Sequence, residues 1–247
     1  MKLIPPHKLK SIKESITTAL ENGANPIAAF DADGTLWNTD IGEEFFKYQF
    51  EKKLLPPLTI HPIQHYHTLL QTKPKEAFLW MAQINEGKNI KVVRQWAQEH
   101  FVSIKPFPFF NSIREIILFL QSLKVNIFVV TASVKWVVEP AITPLNIPIE
   151  NIIGVSTKVK NDFITTEQEG VLSWQEGKVT GLLDKTIGLK PFFCAGNSLG
   201  DLALLESATH VRLANCALPP SHSLYESEQQ LLALAKSKEW FYHSYDG

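Results

Sequence analysis

Cysteine is scarce: Cys194 and Cys216 are the two in 247 residues. Two thiols are too few for a disulfide framework or a zinc cage. Arginine is nearly as rare, with Arg94, Arg114 and Arg212 alone. Lysine and arginine number 24 against 25 acidic residues, a formal net charge of −1. That leaves no basic surplus of the kind that nucleic-acid or membrane-surface binding needs, so neither partner is expected. Long apolar runs are also missing, since IILFL and IFVV are far too short to span a bilayer. The start, MKLIPPHKLKSIKE, is too polar and too broken by proline for a secretory signal. Together these absences give a cytoplasmic protein as the expectation.

What is present is an apolar fraction of 45%, enough for a globular core. The length suits one α/β domain with an inserted subdomain, or two small domains. Five short apolar runs read as buried strands: 26–30 (PIAAF), 125–130 (VNIFVV), 151–155 (NIIGV), 191–195 (PFFCA) and 209–213 (THVRL). Helical periods separate most of them. Leu9, Ile12, Ile16 and Leu20 form one stripe. Ser112 and Glu115 read as a capping box ahead of Ile113, Ile116, Ile117 and Leu120. Leu182, Leu183 and Ile187 form a third stripe. The alternation predicts an α/β fold with a Rossmann-like parallel sheet flanked by helices.

Residues 41–105 break that rhythm, with helical patterns near 42–52, 63–72, 75–86 and 90–101 and aromatics for a small core of their own. This stretch is expected to be a helical cap inserted into a core domain of residues 1–40 and 106–247. Residues 155–177 alternate around Asn161-Asp162 and predict a β-ribbon or flap.

The chemistry concentrates at strand ends. In FDADGTLW, Asp31 and Asp33 follow the first strand directly. Residues two apart on an extended chain point the same way, so two carboxylates emerge together where open α/β sheets bind ligands. Their repulsion calls for a cation, and oxygen ligands favour a hard one such as Mg2+. The second strand ends in Thr131, Ala132 and Ser133. Thr131 is the expected phosphate contact, and Ser133 reads as the N-cap of the next helix. The fourth strand runs into GNSLGD, where Asn197 and Asp201 can face one point, or serve as helix caps. Lys178, ahead of a helix, can reach shared negative charge, with Lys185 and Lys190 as competitors.

The order DADGT, VVTAS, GK, GNSLGD resembles the haloacid dehalogenase superfamily, in its phosphoserine-phosphatase-like branch with a helical cap after the first strand. The resemblance runs from about Ala28 to Leu205. It implies a Mg2+-dependent phosphatase acting on a small-molecule phosphate ester. Asp31 would be the nucleophile and a metal ligand. Asp33 would be the general acid/base, with its backbone carbonyl on the metal. Thr131 and Lys178 would bind the phosphoryl group, and Asn197 and Asp201 would hold Mg2+. Many relatives carry Asp where this chain has Asn197, so the direct ligand is open between Asn197 and Asp201. Asp33 argues against dehalogenation, because a halide leaves without a proton. A phosphotransferase using the same nucleophile and a non-catalytic binding protein are the alternatives.

For specificity, the resemblance puts Asp40 against a substrate amino group, while its position also suits a helix N-cap. Arg94 is a candidate for a substrate carboxylate. Trp37 offers either a face for a quaternary ammonium group, as in a phosphocholine-like substrate, or packing between cap and core. His61 and His65 are four apart, but Pro62 interrupts them and no acidic third ligand is adjacent. The tail KEWFYHSY is expected to supply core and docking contacts.

Overall fold

The computed structural model describes residues 3–245. The outermost residues of the expected core domain, 1–2 and 246–247, lie outside it. The chain opens with α1 (Pro6–Glu21), started by a proline whose fixed φ suits a first helical turn. Strand β1 (Ile27–Phe30) is buried at all four positions. Four helices follow without a strand: α2 (Ile41–Glu51), α3 (Pro62–Thr72), α4 (Pro74–Gln83) and α5 (Ile90–Ser103). The chain returns through α6 (Asn111–Ser122), β2 (Asn126–Val134), α7 (Lys135–Ile142) and β3 (Ile152–Val155). A ribbon of β4 (Thr157–Lys160) and β5 (Phe163–Gln168) comes next. Then come α8 (Glu176–Lys185), β6 (Phe193–Gly196), α9 (Leu202–Ser207), β7 (Val211–Cys216), α10 (Tyr225–Ser237) and β8 (Phe241–Ser244).

Six strands form one sheet in the order β3-β2-β1-β6-β7-β8, and every neighbouring pair is parallel. A parallel sheet needs cover on both faces. Alternate residues supply it: Ala28, Phe30, Val129 and Leu213 face the cluster that holds Ile12 and Ile16 of α1 and Ile113 and Ile116 of α6. Ala29, Phe128, Val130 and Cys194 face Leu182 of α8, Leu205 of α9 and Leu231 of α10. From β1 the chain builds outward through β2 and β3 on one side, then through β6, β7 and β8 on the other.

The four helices between β1 and α6 do not keep a core of their own. Phe45, Phe46, Tyr66, Met81 and Val93 belong to the same apolar cluster as Trp37, Val129 and Trp136. The ribbon turns at Asn161-Asp162, both with positive φ (52° and 69°), the conformation a tight two-residue hairpin demands. It is also fastened to the helices: Gly87 N–H donates to the Ile164 carbonyl (2.9 Å), Ile164 N–H to Lys88 (3.0 Å) and Ile90 N–H to Asp162 (2.9 Å).

Several local expectations are overturned. Helix α6 starts at Asn111 with no side-chain cap. Ser112 instead accepts from the Ile4 N–H at 2.9 Å, and Glu115 pairs with Lys13 at 2.6 Å, so tertiary partners outcompete the capping box. The strand after Asn126 runs on through Val134, so Ser133 is not an N-cap. Ile187 lies beyond α8 at φ 54° and is 92% exposed, so it is no part of the third stripe. The tail forms a sixth strand, β8, beside β7.

Candidate active site

Phe30, the last residue of β1, pairs with Val129 of β2 on one side and Ala195 of β6 on the other, so Asp31, Val130 and Gly196 come next on the three neighbouring chains. The residues just beyond share one end of the sheet, at the point where the chain departs in two directions. A cavity of about 280 Å³ lies there, between the strand ends and the helices that follow β1. All seven residues singled out above, Asp31, Asp33, Asp40, Thr131, Lys178, Asn197 and Asp201, line it.

Asp31 and Lys178 are both buried. The Lys178 ammonium bridges Asp31 Oδ1 at 2.6 Å and Asp201 Oδ1 at 2.5 Å. It lies in the first turn of α8 and not ahead of the helix. Lys185 and Lys190 are exposed. The second Asp31 oxygen accepts from Thr35 Oγ1 at 3.0 Å. Asp201 Oδ2 closes a capping box, accepting from the Asn197 and Ser198 N–H groups at 3.0 and 3.1 Å. Both Asp201 oxygens are thus committed within the protein. Asn197 Oδ1 has one weak contact, Thr35 Oγ1 at 3.5 Å. Gly34 (φ 77°) passes so close that a Cβ there would lie 2.1 Å from Asn197 Nδ2.

Asp33 is held by three donors: Trp37 Nε1 at 2.8 Å, the Ile41 N–H at 2.8 Å and Ser133 Oγ at 2.6 Å. Thr131 Oγ1 accepts from the Ser133 N–H at 3.0 Å, and the Thr131 carbonyl accepts from Ser173 Oγ at 2.6 Å. Asp40 is the N-cap of α2, accepting from the Glu43 N–H at 2.8 Å, and also faces the cavity.

Five acidic side chains line the cavity, and among its described residues Lys178 is the one cation. The surplus shows in the titration of the carboxylates. Burial and the negative charge of Asp201 push Asp31 up to about 7, against the pull of Lys178. Burial and Asp40 push Asp33 up to about 7 in spite of its three donors. Burial also raises Asp40, to about 6. For Lys178 burial works downward, but Asp201 and Asp31 outweigh it and hold the ammonium above its ordinary value. Among the described residues no three His, Cys, Asp or Glu side chains cluster as metal ligands. The donors on offer, a carboxylate and an amide oxygen beside excess buried negative charge, fit a single hard divalent cation that keeps part of its water.

Other candidates fall elsewhere. Trp37 is fully buried, edge-on to Phe107 (5.5 Å) and Phe109 (6.1 Å), so its indole is a packing group and a donor to Asp33, not a ligand face. Arg94 spends its guanidinium on Glu139 of α7, at 2.7 and 2.8 Å. His65 packs edge-on against Trp80. The aromatics that do line the cavity, Tyr66, Phe78 and Trp174, were not distinguishable in the sequence from ordinary core residues. Glu228 was missed as well, although it left a signal. It shares the buried stripe of α10 with Leu231, Leu232 and Ala235, where a carboxylate is out of place unless it has partners.

No curated protein matches the chain. Among solved structures, a protein of unknown function from Bordetella pertussis Tohama I is 17% identical, with a TM-score of 0.73, covering 89% of this chain and 98% of that one. A phosphoserine phosphohydrolase-like protein from Francisella tularensis subsp. tularensis SCHU S4 is 18% identical, with a TM-score of 0.57 and coverage of 88% and 94%. A substrate-bound phosphoserine phosphatase is 13% identical, with a TM-score of 0.53 and coverage of 85% and 97%. At such identities the likeness is one of fold. The model of the haloacid dehalogenase-like hydrolases matches residues 28–206, the span from β1 to the end of α9 that carries these strand-end residues, and the chain belongs to that family.

Proposed function

We propose that the chain is a Mg2+-dependent phosphatase of small phosphate monoesters, working through an aspartyl-phosphate on Asp31. The observation that carries this reading is the convergence of Asp31 and Asp201 on Lys178, whose ammonium lies within 2.6 Å of both at the wall of one cavity. Mg2+, when bound, would offset phosphoryl charge and keep Asp31 ionised. Its holders would be Asp31, the Asp33 carbonyl and Asn197 Oδ1. Asp201, with both oxygens occupied, serves in this reading to fix Lys178 and the 197–198 backbone. In the first step an Asp31 oxygen attacks phosphorus while Lys178 and Thr131 meet the equatorial oxygens. Asp33, raised to about 7, is poised to protonate the departing alkoxide. It then takes a proton from the water that opens the acyl phosphate, and inorganic phosphate leaves with Asp31 restored.

The rest of the cavity bears on the substrate. Asp40 and Glu43 supply negative charge, Tyr66, Phe78 and Trp174 supply aromatic surface, and among the described residues no arginine lines the wall. That combination favours a cationic end with no carboxylate, as in phosphocholine or phosphoethanolamine, over phosphoserine. Residues 41–105 act as the cap that carries much of this selectivity. A reducing, cytoplasmic setting suits the two buried free cysteines.

The test is phosphate release from these three esters, with Mg2+ and with chelator. Asp31→Asn is expected to lower kcat by at least about 10³-fold with the fold retained. Wild-type turnover in that variant, or full activity in chelator, would refute the mechanism.

A further inference from the structure

The Asn197 side chain is held from behind. Its Nδ2 donates to Glu228 Oε1 at 2.8 Å. Glu228 Oε2 accepts from the Ala217 and Leu218 N–H groups at 3.1 and 2.9 Å. Glu228 is fully buried and Asn197 is 4% exposed, so water does not compete for these contacts. A carboxylate can only accept, so the amide must turn its NH2 toward Glu228 and its oxygen away, toward the Thr35 hydroxyl that also meets Asp31. From this geometry we infer that Glu228 is a positioning residue for the cation site. It fixes which face of Asn197 meets the cation, and it restores behind the ligand the negative charge that an amide lacks. The inference rests on the metal reading above. Outer partners of this kind orient metal ligands and raise their affinity.

The alternative is that Glu228 only pins α10 to the backbone at 217–218. The two roles separate by swapping the pair. In Glu228→Gln the side-chain carbonyl must still serve two backbone N–H donors, which leaves its NH2 facing the NH2 of Asn197. Asn197 then flips and presents its NH2 to the cation. Asn197→Asp alone sets two carboxylates against each other. Asn197→Asp combined with Glu228→Gln restores a donor–acceptor pair and aims an oxygen outward again.

The readout is thermal stabilisation of the full chain by MgCl2, without substrate, fitted for the half-saturating concentration. Glu228→Gln is expected to raise that concentration about 10- to 100-fold. The double substitution is expected to return it toward the wild-type value. Unchanged Mg2+ dependence in Glu228→Gln overturns the inference. So does a double variant no better than Glu228→Gln. If Glu228→Gln does not fold, the double variant decides: recovery of folding with Mg2+ response supports the role, and failure of either overturns it. A wild-type chain that Mg2+ does not stabilise overturns the metal reading itself, a different result from wild-type response with an indifferent Glu228→Gln.

Discussion

Ser133 donates to Asp33 at 2.6 Å, and that bond works against the burial that raises the carboxyl. Its removal should therefore move Asp33 further up. As the proposed acid, Asp33 must be protonated when the alkoxide leaves, so Ser133→Ala is expected to shift the alkaline limb of the kcat–pH profile to higher pH. A profile superimposable on wild type would count against Asp33 as the acid. Asp31, Asp33, Thr131 and Asn197 were legible as neighbours because an apolar run followed at once by Asp, Thr or Asn marks the part of a buried strand that a parallel sheet gathers at one edge, whereas Asp40 and Lys178, at helix starts, needed the family resemblance. Ser133 was legible as polar but misread. Nothing local shows that the strand continues to Val134 and turns its hydroxyl onto a residue 100 positions away. Trp37 was open between two roles, and the neighbouring Phe107 and Phe109 rings decided between them.

Helices α5 and α7 are joined by Arg94 and Glu139. The acid side chain is only 9% exposed, whereas Arg94 is 49% exposed. The pair links the inserted helices to the sheet layer, and its loss strands a nearly buried carboxylate. Arg94→Ala is expected to cost about 1–3 kcal/mol of stability in urea denaturation. Indifference to the substitution would show that the acid finds water or another donor. Helices and central strands were readable because burial imposes a period on the chain. Strand β8 was not, because its burial is mostly partial and its aromatics also suit a docking tail. The capping box failed for a related reason, since Ser112 and Glu115 found better partners in Ile4 and Lys13, more than 100 residues away in sequence.

For the whole molecule, the raised carboxyls couple folding to pH. Asp31 and Asp33 titrate at about 7 when folded, against 3.8 for an ordinary aspartate. Between these values the folded chain holds protons that the unfolded chain has released. Stability from these groups is therefore greatest below about pH 4, falls as pH rises toward 7, and stays low above it. A cation that binds the ionised form must displace those protons at pH 5 but meets few of them at pH 8. Mg2+ is thus expected to raise Tm more at pH 8 than at pH 5, as melting curves with and without MgCl2 can check. Equal gains at both values would separate the cation from these carboxyls.

The hairpin at 157–168 is stitched to residues 87–90 by three main-chain hydrogen bonds. A hairpin anchored only where its chain enters and leaves can swing like a door. This one is also sewn down along a side, to the turn between α4 and α5 of the inserted helices. Any movement of those helices must either unpick that seam or carry the hairpin along, with flexure at the joints near 156 and 170. Stiffening those two joints would then restrain the inserted helices as well as the hairpin.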